Sequence, residues 1–179
     1  MVRGPLADLW FRRVVFVFVA IFLFYLRLLP LGSVAGQWPG PDLMLCLVLA
    51  WVVRRPEYVP VWLIAGVILM EDMLLQRPPG LWTALVVVAS EFLRGRAALM
   101  RELNFAVEWF QAALAMLALL LVYRFVFILT LMPQPGFGYA MIQMGATILA
   151  YPVMAWISRH VLGVHKPAAG EVDARGRRL

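Results

Sequence analysis

Cysteine is nearly missing from this chain. The single thiol, Cys46, excludes an internal disulfide and any metal centre built on cysteine, and within an apolar run it reads as a small packing residue. Histidine is almost as scarce: His160 and His165 both stand near the C-terminal end, and no His-Glu-x-x-His pattern exists. A Gly-x-Ser-x-Gly elbow and a phosphate-binding glycine loop are also lacking. Ser90 and Ser158 have no histidine or acid at helical spacing to activate them. These gaps point to a protein that is not an enzyme, with no cofactor and no bound metal.

Charge is the other shortage. Charged residues make up 15 % of the chain and hydrophobic ones 64 %, against about 25 % and 45–50 % in soluble proteins. A soluble chain of 179 residues has no interior large enough for that much apolar surface. The composition is that of an all-α protein crossing the membrane several times. A formal net charge of +6 first suggests nucleic acid, but the placement of the basic residues favours a topology signal instead.

Read in order, residues 1–13 form a short polar start with Arg3, Arg12 and Arg13. Residues 14–31 are apolar, interrupted by Arg27, and too long for a signal-peptide core of about 7–15 residues. We read them as an uncleaved first span whose Arg27 snorkels to the headgroups. A Gly- and Pro-rich loop then leads to Pro41-Asp42, which open an apolar segment at 43–53 ending in Arg54-Arg55-Pro56. That segment is only about 18 Å long, so it either spans a shielded, thin region or starts as a re-entrant piece.

Residues 58–75 form a third span carrying the adjacent acids Glu71 and Asp72, and a turn through Pro78-Pro79-Gly80 follows. Residues 81–93 read as a second short helix, ending in Glu91 and the basic stretch 94–101. The longest run, 105–132, holds Glu108 near its start and Arg124 about midway. A last span, 139–162, contains Pro152. The expected architecture is therefore a six-helix transmembrane domain over 14–162, two helices being short. A cytoplasmic segment precedes it at 1–13, and a disordered basic cytoplasmic tail follows at 163–179.

With the N-terminus cytoplasmic, all but three of the 16 basic residues fall on the inner side or in the two terminal segments. The exceptions are Arg77 outside and Arg27 and Arg124 within spans. Arg54, Arg55, Arg94 and Arg96 then face cytoplasmic partners or anionic lipid. Glu91 and Glu108 read as interfacial partners of the neighbouring arginines. Trp38, Trp51, Trp62, Trp82, Trp109 and Trp156 lie mostly near span ends and read as an interfacial belt.

Charges inside spans are the remaining candidates for function, since a carboxylate at a helix centre costs about 2.5–3.5 kcal/mol on insertion scales. Glu71 and Asp72 project about 100° apart. Asp72 either fixes the hairpin, or docks a partner, through backbone N–H groups near Pro79 and Gly80, or both acids merely reach the outer interface. Arg124 needs a partner, and Glu108 lies about 24 Å away along the same helix. Glu71, Asp72 or the carbonyls of a broken helix are the alternatives, with a structural ion pair or a ligand or proton path as the role.

Four short features occur in order: Pro41-Asp42-Leu43, Arg54-Arg55-Pro56, the acid-to-turn stretch from Asp72 to Gly80, and Tyr151-Pro152. With the size and the six spans, they make residues 10–162 resemble MreD, the rod-shape-determining integral membrane protein of bacteria. The resemblance implies a bundle like the substrate-binding component of energy-coupling-factor transporters, set in the bacterial inner membrane. It implies a non-enzymatic scaffold of cell-wall elongation that binds MreC and supports side-wall peptidoglycan synthesis. RodA, a penicillin-binding transpeptidase, MreB and RodZ would share the larger complex. Gly66, Glu71, Asp72, Pro79, Gly80 and Arg124 would shape the hairpin, the core or the partner contact. The alternative reading is a small-molecule binding subunit of a membrane transporter. It requires a polar cavity near the outer face, lined by Asp42, Asp72, Arg77 or Arg124.

Overall fold

The structure, a computed structural model, describes residues 5–29, 39–100, 103–131 and 136–164. The described residues form six α-helices and no strand: α1 (Pro5–Leu28), α2 (Leu43–Arg54), α3 (Val61–Leu74), α4 (Leu81–Met100), α5 (Phe105–Leu129) and α6 (Phe137–His160). α1, α5 and α6 are long and apolar enough to cross a bilayer, and the chain is a helical membrane protein. Of the expected disordered tail, 163–179, the first two residues are ordered, with Val164 buried and its N–H donating to the Ser158 carbonyl at 2.8 Å; residues 165–179, Trp38, Arg3 and Arg101 lie outside the described residues.

Local chemistry sets the helix ends. Asp42 caps α2 by accepting from Leu45 N–H at 3.0 Å, and Asn104 caps α5 by accepting from Val107 N–H at 3.1 Å. α1 starts earlier than the apolar run suggested. Pro5 suits a first helical position, and Asp8 lies 3.7 Å from Arg12 one turn on, so the polar start is itself helical. α4 is not short. It runs through the basic stretch to Met100, about 30 Å, with Glu91 and Arg94 paired at 3.0 Å on its polar side. The second short helix is instead α3, of 14 residues.

α2 is the centre of the bundle. It packs against α6 and α4, and also meets α1 and α5, so every residue from Met44 to Arg54 is buried. This resolves the length problem: a helix about 18 Å long is tolerated because its neighbours, not lipid, surround it. α2 runs parallel to α6. Cys46 donates to the Thr147 carbonyl at 3.3 Å near one end, and Trp51 Nε1 donates to Ser158 Oγ at 3.2 Å near the other. Trp51 is therefore no belt residue. It is fully buried, with Phe16 packed edge-on 5.3 Å away between ring centres.

Pro152 lies inside α6, and proline has no N–H to offer the carbonyl four residues back. That carbonyl belongs to Ile148, and Trp109 of α5 donates its indole N–H to it at 2.9 Å. A side chain on the neighbouring helix thus satisfies a group that would otherwise be stranded in an apolar setting.

Candidate functional site

Because α2 is short, its polar ends lie inside the bundle, and a buried network forms at each. At the first end, Asp42 N–H donates to Thr147 Oγ1 at 2.9 Å, and Thr147 passes its own hydroxyl to the Gln143 carbonyl at 2.8 Å. Arg27 reaches in from α1, 3.6 Å from Asp42 Oδ2 and hydrogen-bonded to Glu71 Oε1. Arg27 therefore does not snorkel: the buried carboxylates of Asp42 and Glu71 attract it more strongly than the headgroup region, because attraction between charges rises as water is excluded.

Asp72, fully buried beside Glu71, has different partners. Its Oδ2 accepts from Gly80 N–H at 3.2 Å, Thr83 N–H at 3.2 Å and Thr83 Oγ1 at 2.8 Å. Thr83 is the third residue of α4, and Gly80, at the cap position, has no side chain with which to cap it. The carboxylate of the preceding helix supplies the missing cap and sets negative charge at the positive end of the α4 dipole. Gly80 has φ +91°, a left-handed conformation that glycine adopts without strain. Pro79 stands exposed in the same turn, and Gln76 also has a positive φ of 52°.

The opposite end of α2 corrects a second expectation. Arg54 faces neither lipid nor a cytoplasmic partner. It is buried, donates from Nε to Glu108 Oε1 at 3.1 Å, and also hydrogen-bonds the Ala155 carbonyl. Tyr151 donates its phenol O–H to the same Glu108 oxygen at 3.2 Å. Glu108 is accordingly no interfacial acid: it joins α2, α5 and α6. Arg54 is the last residue of α2, and its phase on that helix aims it inward.

The other cations stay nearer the surface. Arg55 lies 3.3 Å from Glu57 and over the Tyr58 ring. Arg94 donates to the Val59 carbonyl at 2.6 Å, so it ties α4 to the α2–α3 connection. Arg96 is exposed and covers the Phe92 ring at 4.2 Å. Gly66 also departs from its expected role in the core. It lies on the exposed face of α3, where an added Cβ would meet nothing within 4 Å.

Arg124 does not pair with Glu71 or Asp72. Those acids are engaged by Arg27 and by the Gly80–Thr83 donors, whereas the Arg124 guanidinium lies 5.2 Å from the Phe137 ring centre. Arg124 and Arg77 both line a cavity of about 570 Å³ at the Asp72 end of the bundle. Asp42, Gln76, Trp82, Tyr123, Tyr139 and Gln143 contribute polar groups to it, and Leu45, Leu120, Phe127 and Met144 an apolar wall. Sequence reasoning named Arg77 and Arg124 but gave no reason to group them with Tyr123, Tyr139 or Gln143, which come from the facing ends of α5 and α6.

Both internal serines have structural contacts. Ser158 accepts from Trp51, and Ser90 donates back to the Val87 carbonyl of its own helix at 2.8 Å. Among the described residues no group of three or more His, Cys, Asp or Glu side chains is placed to hold a metal. Comparison of the chain with protein-family models, with curated proteins and with solved structures finds no match in any of the three.

Proposed function

We propose that this chain is a non-enzymatic scaffold of cell-wall elongation, of the MreD kind, that holds an MreC-like partner in the bacterial inner membrane. One observation carries the reading. The four features behind the resemblance, scattered through the sequence, meet at the two buried networks: Asp42 with Glu71 beside Asp72, and Arg54 with Tyr151. Residues of this kind define a rigid bundle, and the buried charges serve to join helices.

The outside of the bundle suits an adaptor. α3 presents Trp62, Leu69, Met70 and Met73 around the open Gly66, a surface against which a partner's single helix packs closely. In this reading both termini are cytoplasmic, the Arg54 end faces inward, and anionic lipid meets Arg55 and Arg96. RodA, a transpeptidase, MreB and RodZ join through the partner. The same reading implies a bundle like the substrate-binding component of energy-coupling-factor transporters, which the six described helices allow.

Affinity purification in mild detergent followed by mass spectrometry tests this. Recovery of an MreC-like single-span protein together with wall synthases is the expected result. A second reading, the small-molecule binding subunit of a transporter, is favoured by the cavity between Arg77 and Arg124. It predicts recovery of an ATPase pair with a stoichiometric metabolite and no wall protein, a result that would replace the first reading.

A further inference from the structure

We infer that the cavity at the Asp72 end is a binding site for an anionic amphiphile: a phosphate-bearing head held by Arg77 and Arg124, with its apolar part against the Leu120–Phe127 wall of α5. The inference holds whether the protein is a scaffold or a transport subunit.

Three observations support it. The space is large enough, at about 570 Å³, for a ligand head group with the first part of a chain. Three of its polar side chains, Arg77, Trp82 and Arg124, can only donate. Two guanidiniums line it, and among the described residues no carboxylate lies within ion-pair distance of Arg77, which stacks 5.5 Å from the Trp82 ring centre. The one acid on the wall, Asp42, is already committed to the α2 cap and to Arg27. Guanidinium groups match the planar, bidentate geometry of phosphate oxygens.

The third observation is Trp82. Its side chain is more than nine-tenths buried, it lines the cavity, and its indole N–H has no hydrogen-bond partner. A buried donor without an acceptor is rare and costly, and it marks this wall as short of acceptors, as the wall of an anion site is. Trp82 also stands edge-on to Tyr123, which in turn packs on Phe127, so donors and apolar wall form one continuous surface.

The test uses the full chain in mild detergent, with one bound molecule read by native mass spectrometry. The probes are phosphatidylglycerol, a diacylglycerol with the same chains and no phosphate, and inorganic phosphate. Phosphatidylglycerol should bind one to one and diacylglycerol should not. Competition by inorganic phosphate at low millimolar levels identifies a free phosphate compound as the source, and its failure to compete identifies a lipid head. An R77Q/R124Q double variant should bind about tenfold or more weakly, the size expected for loss of charged hydrogen bonds. Ala140→Trp, which fills the cavity and leaves both arginines, should also lose binding, whereas Arg96→Gln, outside the cavity, should not. Equal binding of phosphatidylglycerol and diacylglycerol by the unaltered protein overturns the inference, whatever the variants do. So does undiminished binding by folded R77Q/R124Q or by folded Ala140→Trp.

Discussion

Arg54 and Glu108, 54 positions apart in the chain, meet at 3.1 Å with almost no exposure to solvent or lipid. Arg54 also hydrogen-bonds the Ala155 carbonyl, and Tyr151 donates to the same Glu108 oxygen. Buried pairs of this kind add little net stability, because desolvation offsets the attraction, but breaking one strands a charge.

Arg54→Ala should therefore destabilise the bundle by about 3–5 kcal/mol, and Glu108→Ala by a similar amount. The double replacement Arg54→Met with Glu108→Leu should recover most of the loss. Thermal unfolding in detergent measures all three. A double variant as unstable as the singles would show that the two side chains are not each other's partners.

Asp72 and Thr83 form a second separable unit, because one carboxylate oxygen accepts both the N–H and the hydroxyl of Thr83. Asp72→Ala and Thr83→Val should couple by about 0.5–3 kcal/mol in a double-mutant cycle. Strict additivity would mean that the Thr83 hydroxyl does not engage Asp72.

Two glycines should respond oppositely to alanine. Gly80→Ala forces a side chain into a left-handed residue at φ +91° and should cost about 1–2 kcal/mol. Gly66→Ala meets open space and should leave the isolated protein's stability within about 0.5 kcal/mol. If α3 is the partner surface, Gly66→Leu should still lower recovery of the partner. Unchanged recovery would move the docking face elsewhere, with exposed Phe18, Phe22 and Tyr25 on α1 the next surface to test.

Cys46 reports directly on the position of α2. It has no exposed surface, so a membrane-permeant maleimide should leave the native protein unlabelled and react fully after denaturation. Labelling of the native protein would place α2 at the edge of the bundle.

Much of this arrangement was legible in the residues. The apolar runs marked six helices, and the Pro41-Asp42 step marked the start of α2. The acid next to a Pro-Pro-Gly turn suggested a carboxylate aimed at backbone N–H groups. What stayed hidden is which side of a helix end looks inward. Arg54 and Arg55 are adjacent and chemically identical, yet a rotation of about 100° puts one in the core and the other against Glu57. Arg27 sits where a snorkelling arginine would, and only the packing of α1 beside α3 brings Glu71 to it. Composition marked the end of α4 too early because Arg94 and Arg96 are good helix formers that end an apolar run without ending a helix.

The dependence of α2 on α5 and α6 also constrains how the chain is made. α2 leaves the ribosome well before the partners of its two ends: Glu108 for Arg54, and Thr147 and Ala155 for Asp42 and Arg54. A twelve-residue helix with a charge at each end has no stable resting place in bare lipid while it waits. Membrane insertion of this protein is therefore a late, collective event: α2 settles only after most of the chain has been synthesised, and until then the insertion machinery or a chaperone must shelter it.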